Sequence, residues 1–170
     1  MFFMGNGKSM RASRRFGSAK RGSVLIEFAL LAPAFFLLTF GVAEVAMIGL
    51  AQTSLDHAIT ETARGIRTGD VQTNGQTYQQ VQDELCTQMT NLLTVNCTQN
   101  LYLDVTTFNS FNAVQNPNPI SNGNLNTGQF GFAPGAGSSI VVVRAYYRWR
   151  ILTPFFEGLL QNVSGGQRIL

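Results

Sequence analysis

Residues 23–51 read SVLIEFALLAPAFFLLTFGVAEVAMIGLA, and this stretch decides the architecture. Residues 28–43 carry no charge, and residues 45–51 extend the apolar run past Glu44. A bilayer core needs about 20 apolar helical residues at about 1.5 Å each, so the segment is long enough to cross it with room to tilt. Residues 23–51 are therefore expected to form a single transmembrane helix. Glu27 and Glu44 argue against a plain anchor, because a carboxylate in hydrocarbon costs about 2.5–3.5 kcal/mol on insertion scales and calls for a specific partner. Pro33 frees one carbonyl and bends a helix, which membrane helices tolerate, and no chemistry is assigned to it.

The charge distribution orients this segment. Residues 1–22 hold Lys8, Arg11, Arg14, Arg15, Lys20 and Arg21, six of the twelve Lys and Arg, and none of the acids. From Ser23 onward six basic residues face nine acidic ones, a net of −3. The positive charge belongs to a short leader and not to a folded surface, so a nucleic-acid partner is not expected. The positive-inside rule places residues 1–22 in the cytoplasm and residues 52–170 beyond the bilayer. With 170 residues the chain accommodates the anchor and one modest domain. His57 is the single histidine, which excludes any site built on two imidazoles, and neither a cofactor, a metal nor an enzymatic activity is expected.

Lys20-Arg21-Gly22 stands directly ahead of Ser-Val-Leu-Ile-Glu27-Phe28. Basic leader, glycine, four residues, Glu and an aromatic form a layout that resembles the class III signal of type IV pilins. In those proteins a membrane peptidase cuts after the glycine and leaves the apolar helix on the mature chain. The Glu-Phe pair resembles the tight-adherence (Tad, or Flp) variant. Pro33, Gly41-Val42-Ala43-Glu44, Gln52-Thr53-Ser54-Leu55-Asp56 and Ala63-Arg64-Gly65-Ile66-Arg67-Thr68-Gly69 look like the N-terminal region of TadE-like pseudopilins. Leu85-Cys86, Cys97 and the run from Val141 through Trp149 extend the likeness over most of residues 22–153. Relatives of this kind often run on beyond a segment such as 166–170.

The resemblance implies a minor pseudopilin of the bacterial inner membrane. Its processing site would be Gly22, Ser23, Glu27 and Phe28, and Glu27 and Glu44 would serve assembly. The implied partners are the prepilin peptidase, the other Tad pilins and pseudopilins, the inner-membrane assembly platform and the lipid bilayer. The alternative is an unprocessed single-pass membrane protein carrying a periplasmic binding module. Ser13-Arg14-Arg15-Phe16 also has the outline of a twin-arginine signal, but the apolar core here is longer than the roughly 7–15 residues of a removable signal and lacks a small-x-small cut.

Beyond the membrane, Leu55, Ile59, Ala63 and Ile66 recur at helical spacing, so the helix should continue as an amphipathic rod until Gly69-Asp70. Tyr78, Val81, Leu85, Met89 and Leu92 predict a second helix over 77–93, with Asp83 and Glu84 on its solvated sides. Cys86 and Cys97 bracket its end. Two sulfurs and one His are too few for a zinc site, C-x10-C is not a redox spacing, and the oxidising side of the membrane permits a structural disulfide. Alternation over 101–108 and the Val, Tyr and Trp of 140–151 predict two strands. Residues 109–139, crowded with Asn, Gly and Pro, read as a long loop with Phe130 and Phe132 pinned to the core, and Thr153-Pro154 opens a last short helix. Arg144, Arg148, Tyr146 and Trp149 mimic a basic-aromatic platform, but a half-exposed sheet face accounts for them better. The expected fold is α+β: a leader over 1–22, a transmembrane helix over 23–51 extending into an amphipathic helix, and a small periplasmic domain over 52–170 with a second helix and a short antiparallel sheet.

Overall fold

The computed structural model describes residues 20–89 and 96–170. The leader cations Lys8, Arg11, Arg14 and Arg15, the twin-arginine outline and Leu92 lie outside these residues. The fold is α+β. Helix α1 (Lys20–Thr68) carries the whole apolar run with Pro33 inside it, and begins a turn earlier than the apolar pattern indicates. Its stretch Val24–Thr68 is long and apolar enough to cross a membrane. The chain divides into two compact units, Met1–Leu38 and Thr39–Leu170. In the first, Val24, Leu25, Ile26, Phe28, Leu30, Leu31, Phe35 and Leu38 all lie exposed along the helix. A helix apolar on every side suits lipid or neighbouring helices rather than water.

In the second unit one face of α1 becomes core. Glu44, Ile48, Ala51, Leu55, Ala58, Thr62 and Ile66 are buried at spacings of three and four. The centre of this stripe is rotated from the expected one: Ile59 and Ala63 are half-buried flanks, while Ala58 and Thr62 lie at its middle. Adjacent rows differ by only about 100° of helix rotation, so apolar identity alone does not select the central row. Thr62 tolerates burial because its hydroxyl donates back to Ala58 O at 3.0 Å.

Gly69, at φ 84°, ends α1 as its sequence indicates, but one further turn, α2 (Asp70–Thr73), follows and buries Val71. Helix α3 (Tyr78–Gln88) starts at a capping box: the Thr77 hydroxyl accepts from Gln80 N, and Gln80 Oε1 accepts from Thr77 N at 2.8 Å. It is shorter than its apolar period, because Met89 is already in extended backbone (φ −76°, ψ 154°) while its side chain stays in the core. The Cys86 and Cys97 sulfurs lie 1.98 Å apart with Cα atoms at 5.9 Å, a disulfide geometry. Cys97 opens the one-turn helix α4 (Cys97–Asn100), so the bond joins α3 to this turn and not directly to a strand. A Cys86→Ala/Cys97→Ala protein is expected to lose about 3 kcal/mol on the chain-entropy model, read as a lower urea midpoint than the oxidised parent. An unchanged midpoint would show that the bond closes no loop that matters to stability.

The strands are β1 (Leu101–Phe108), β2 (Ile120–Ser121), β3 (Asn124–Leu125), β4 (Ile140–Arg150) and β5 (Gln167–Ile169). β1 and β4 are antiparallel, from Leu101 opposite Tyr147 to Phe108 opposite Ile140, and β5 pairs with the end of β4 through Arg148 opposite Ile169. β5 has no counterpart in the sequence reading. Its three residues follow the Gly165-Gly166 turn, whose positive φ values (86° and 67°) only glycine adopts without strain. Leu101, Leu103, Val105, Ala145, Tyr147 and Trp149 form the buried face of the sheet and join the α1 and α3 residues in one core. The expected loop 109–139 contains the small β2–β3 hairpin, turned by Asn122-Gly123 with both φ positive. Phe132 bridges to Val105 and meets the Tyr78 ring edge-on, while Phe130 stacks on Tyr146 on the other face.

Candidate functional site

Glu44 is the most constrained of the residues singled out from the sequence. It lies on the same face of α1 as Ile48 and Ala51 and is 1% exposed. The Trp149 indole donates to Oε1 at 3.2 Å, the Leu152 amide donates to both oxygens at 3.2 Å, and the Thr153 hydroxyl donates to Oε2 at 3.1 Å. Every neighbour that reaches the carboxylate is a donor, which is the compensation a buried acid requires. The partner demanded by an acid in an apolar run is thus supplied within the chain, by the end of β4 and the residues after it. One turn earlier, Gly41 lies under the Phe156 ring, and a Cβ there would come within 2.7 Å of Cζ. Glycine at 41 and the acid at 44 together seat residues 149–156 on α1. Sequence reasoning did not find Trp149, Leu152 or Thr153 as partners, because a pairing across more than 100 residues leaves no local pattern.

The processing residues all lie on α1. Gly22 is half-buried, and Glu27 and Phe28 are exposed on the helix. They are displayed along one apolar segment and are not gathered into a pocket.

The outer face of the sheet holds a second polar arrangement. Asp104 is buried, with Oδ2 accepting from Arg144 Nη1 at 3.0 Å and Oδ1 accepting from Gly131 N at 3.1 Å and Thr106 Oγ1 at 3.0 Å. Arg144 also donates to Gln115 O, so this ion pair gathers both arms of the 109–139 segment onto the sheet. Arg148 lies over the Tyr102 ring at 5.2 Å. Arg144 and Arg148 are therefore engaged by their own sheet. Burial raises the pKa of Tyr147, and burial followed by the charge of Asp104 raises that of Tyr146 against the lowering pull of Arg144. Both phenols stay protonated near neutral pH and are not acid–base groups there. An open groove of about 900 Å³ between the end of α1 and the start of β4 is lined by Ile66, Gln72, Pro134, Val141 and Val143, with Arg67 its one charged side chain. The placement of these groups describes a surface for packing, anchored on a membrane-length helix.

No curated protein and no solved structure matches the chain. Residues 22–64, from the glycine ahead of the apolar run to the amphipathic part of α1, match the family model described as TadE-like protein. Over these residues, about a quarter of the chain, the sequence is similar to TadE-like proteins.

Proposed function

We propose that the protein is a minor pseudopilin, cut after Gly22 by a prepilin peptidase and required for assembly of a Tad/Flp-type adhesive pilus. In this reading α1 holds it in the bacterial inner membrane, with the N-terminus in the cytoplasm and the domain in the periplasm. Its partners are the other Tad pilins and pseudopilins and the assembly platform. The observation that carries the proposal is the TadE-like match that begins at Gly22, with Glu27 five residues into the mature chain.

The local chemistry supports the cut. Glycine costs a helix about 1 kcal/mol relative to alanine, so the first turn of α1 opens most readily at Gly22. Cleavage would free the amine of Ser23, which with a reference pKa of about 7.7–8.0 is largely protonated at neutral pH. Glu27 lies four residues on, one helical turn away, where a negative charge also suits a helix N-terminus.

Mass spectrometry of the N-terminal peptide from bacterial membranes tests the reading. A chain beginning at Ser23 is expected where the peptidase is active, and one retaining Gly22 where it is deleted. A mature chain that still begins at Met1 beside an active peptidase points instead to an unprocessed membrane protein with a periplasmic module. Orientation has its own test: a reporter that fluoresces only in the cytoplasm, fused after Leu170, should be dark, and a bright one reverses the topology.

A further inference from the structure

The segment that Glu44 and Gly41 hold against α1 has an unusual outer surface. Leu152 is 61% exposed, Phe155 82% and Leu159 78%, within eight residues of sequence. They belong to a tight structure: Pro154–Phe156 forms a 3-10 turn that leads into α5 (Glu157–Leu160). The segment is held from both sides. Leu152 N and the Thr153 hydroxyl bond to Glu44, the Phe156 ring covers Gly41, and Arg168 Nη1 donates to Leu160 O at 2.9 Å. Leu160 packs on the core. A segment fixed this firmly, with its apolar side chains turned outward, has an apolar partner.

Its position on α1 identifies the partner. Glu44 is the first charge after the uncharged run of 28–43, and Gly41 lies inside that run, about 4.5 Å farther toward its N-terminal side. Phe156 is thus seated within residues 23–51, the stretch of α1 that the sequence reading assigns to the membrane. At the same level of the helix Phe40, Val42 and Val45 are exposed as well.

We infer that residues 152–160 dip into the outer leaflet of the inner membrane, so that Leu152, Phe155 and Leu159 meet lipid together with the exposed Phe40, Val42 and Val45. The inference rests on the membrane reading of α1. It makes the domain monotopic as well as tethered. A short amphipathic segment buries its apolar side about 5–10 Å into the boundary between headgroups and acyl chains, and three large side chains are enough to fix which side of the domain faces the bilayer.

Single-cysteine labelling of the full chain tests this. Leu159→Cys and Phe155→Cys replace exposed side chains, and the native cysteines are bonded to each other and so do not take the label. Each variant, with Val42→Cys and Phe111→Cys for comparison, is labelled with a polarity-sensitive fluorophore. It is then reconstituted in phosphatidylethanolamine–phosphatidylglycerol vesicles with and without brominated acyl chains. Labels at 42, 155 and 159 should emit to the blue and be quenched by the brominated lipid, and the label at 111 should remain as in water. Quenching at 42 with water-like emission at 155 and 159 would overturn the inference and leave the membrane span intact. Water-like emission at all four positions would overturn both.

Discussion

Glu44→Ala is expected to lower the stability of the domain by about 2–4 kcal/mol, because it strands the buried Trp149 indole and two part-buried donors and leaves a void where the carboxylate stood. Trp149 Nε1, Leu152 N and Thr153 Oγ1 each lose the acceptor they now share. Glu44→Gln keeps the shape and one carbonyl oxygen but turns an amide donor toward donors, so it should cost part of that amount. For a domain of this size the alanine change lowers Tm by on the order of 10 °C. Trp149 is the single tryptophan, so its emission reports the site without interference. A red-shifted Trp149 signal below the global transition would mean that residues 149–156 lift from α1 before the rest unfolds. Gly41→Ala should act on the same segment through the 2.7 Å clash with Phe156. Wild-type stability in both Glu44→Ala and Gly41→Ala would show that the seat is dispensable.

The second large effect is expected at the other end of α1. Gly22→Ala or a larger residue should block processing, because the peptidase has to bring its catalytic groups against a backbone that a Cβ would shield. Glu27→Ala and Glu27→Gln should be processed and yet fail in pilus assembly. In the proposed mechanism the Glu27 carboxylate reaches the Ser23 amine of a neighbouring subunit, which offsets the cost of holding an acid in lipid and sets the axial register between helices. Membrane cross-linking with a count of surface pili separates the two steps. Normal pili from Glu27→Ala cells would remove the register mechanism and leave the cleavage intact. Glu44 differs from Glu27 in its partners: it fixes residues 149–153 on its own helix through the Trp149, Leu152 and Thr153 donors.

Several parts of the molecule were legible because their causes are local. An uncharged run of sixteen residues after a basic leader can be read without neighbours, and residues 22–64 are where the family match lies. β1 keeps its expected bounds, since the alternation of Leu101, Leu103 and Val105 is a period that only a strand satisfies. The start of α3 was legible in the same way, from the apolar spacing that begins at Tyr78. Its end was not legible, because Met89 keeps the apolar spacing of the helix while its backbone is already extended.

The rest was decided in three dimensions. Asp104 reads as a solvated strand residue until β1 and β4 pair and bring Arg144 opposite it, and a register is a property of two strands that neither contains alone. β5 is too short to carry a period of its own, and it exists because β4 offers it an edge. Glu44 is the clearest case. Its sequence position states that an acid in an apolar run needs a partner, a matter of solvation energy at one residue. Which atoms provide that partner, and hence how the last strand and the segment after it are set on the helix, depended on donors more than 100 residues away meeting it in the folded chain.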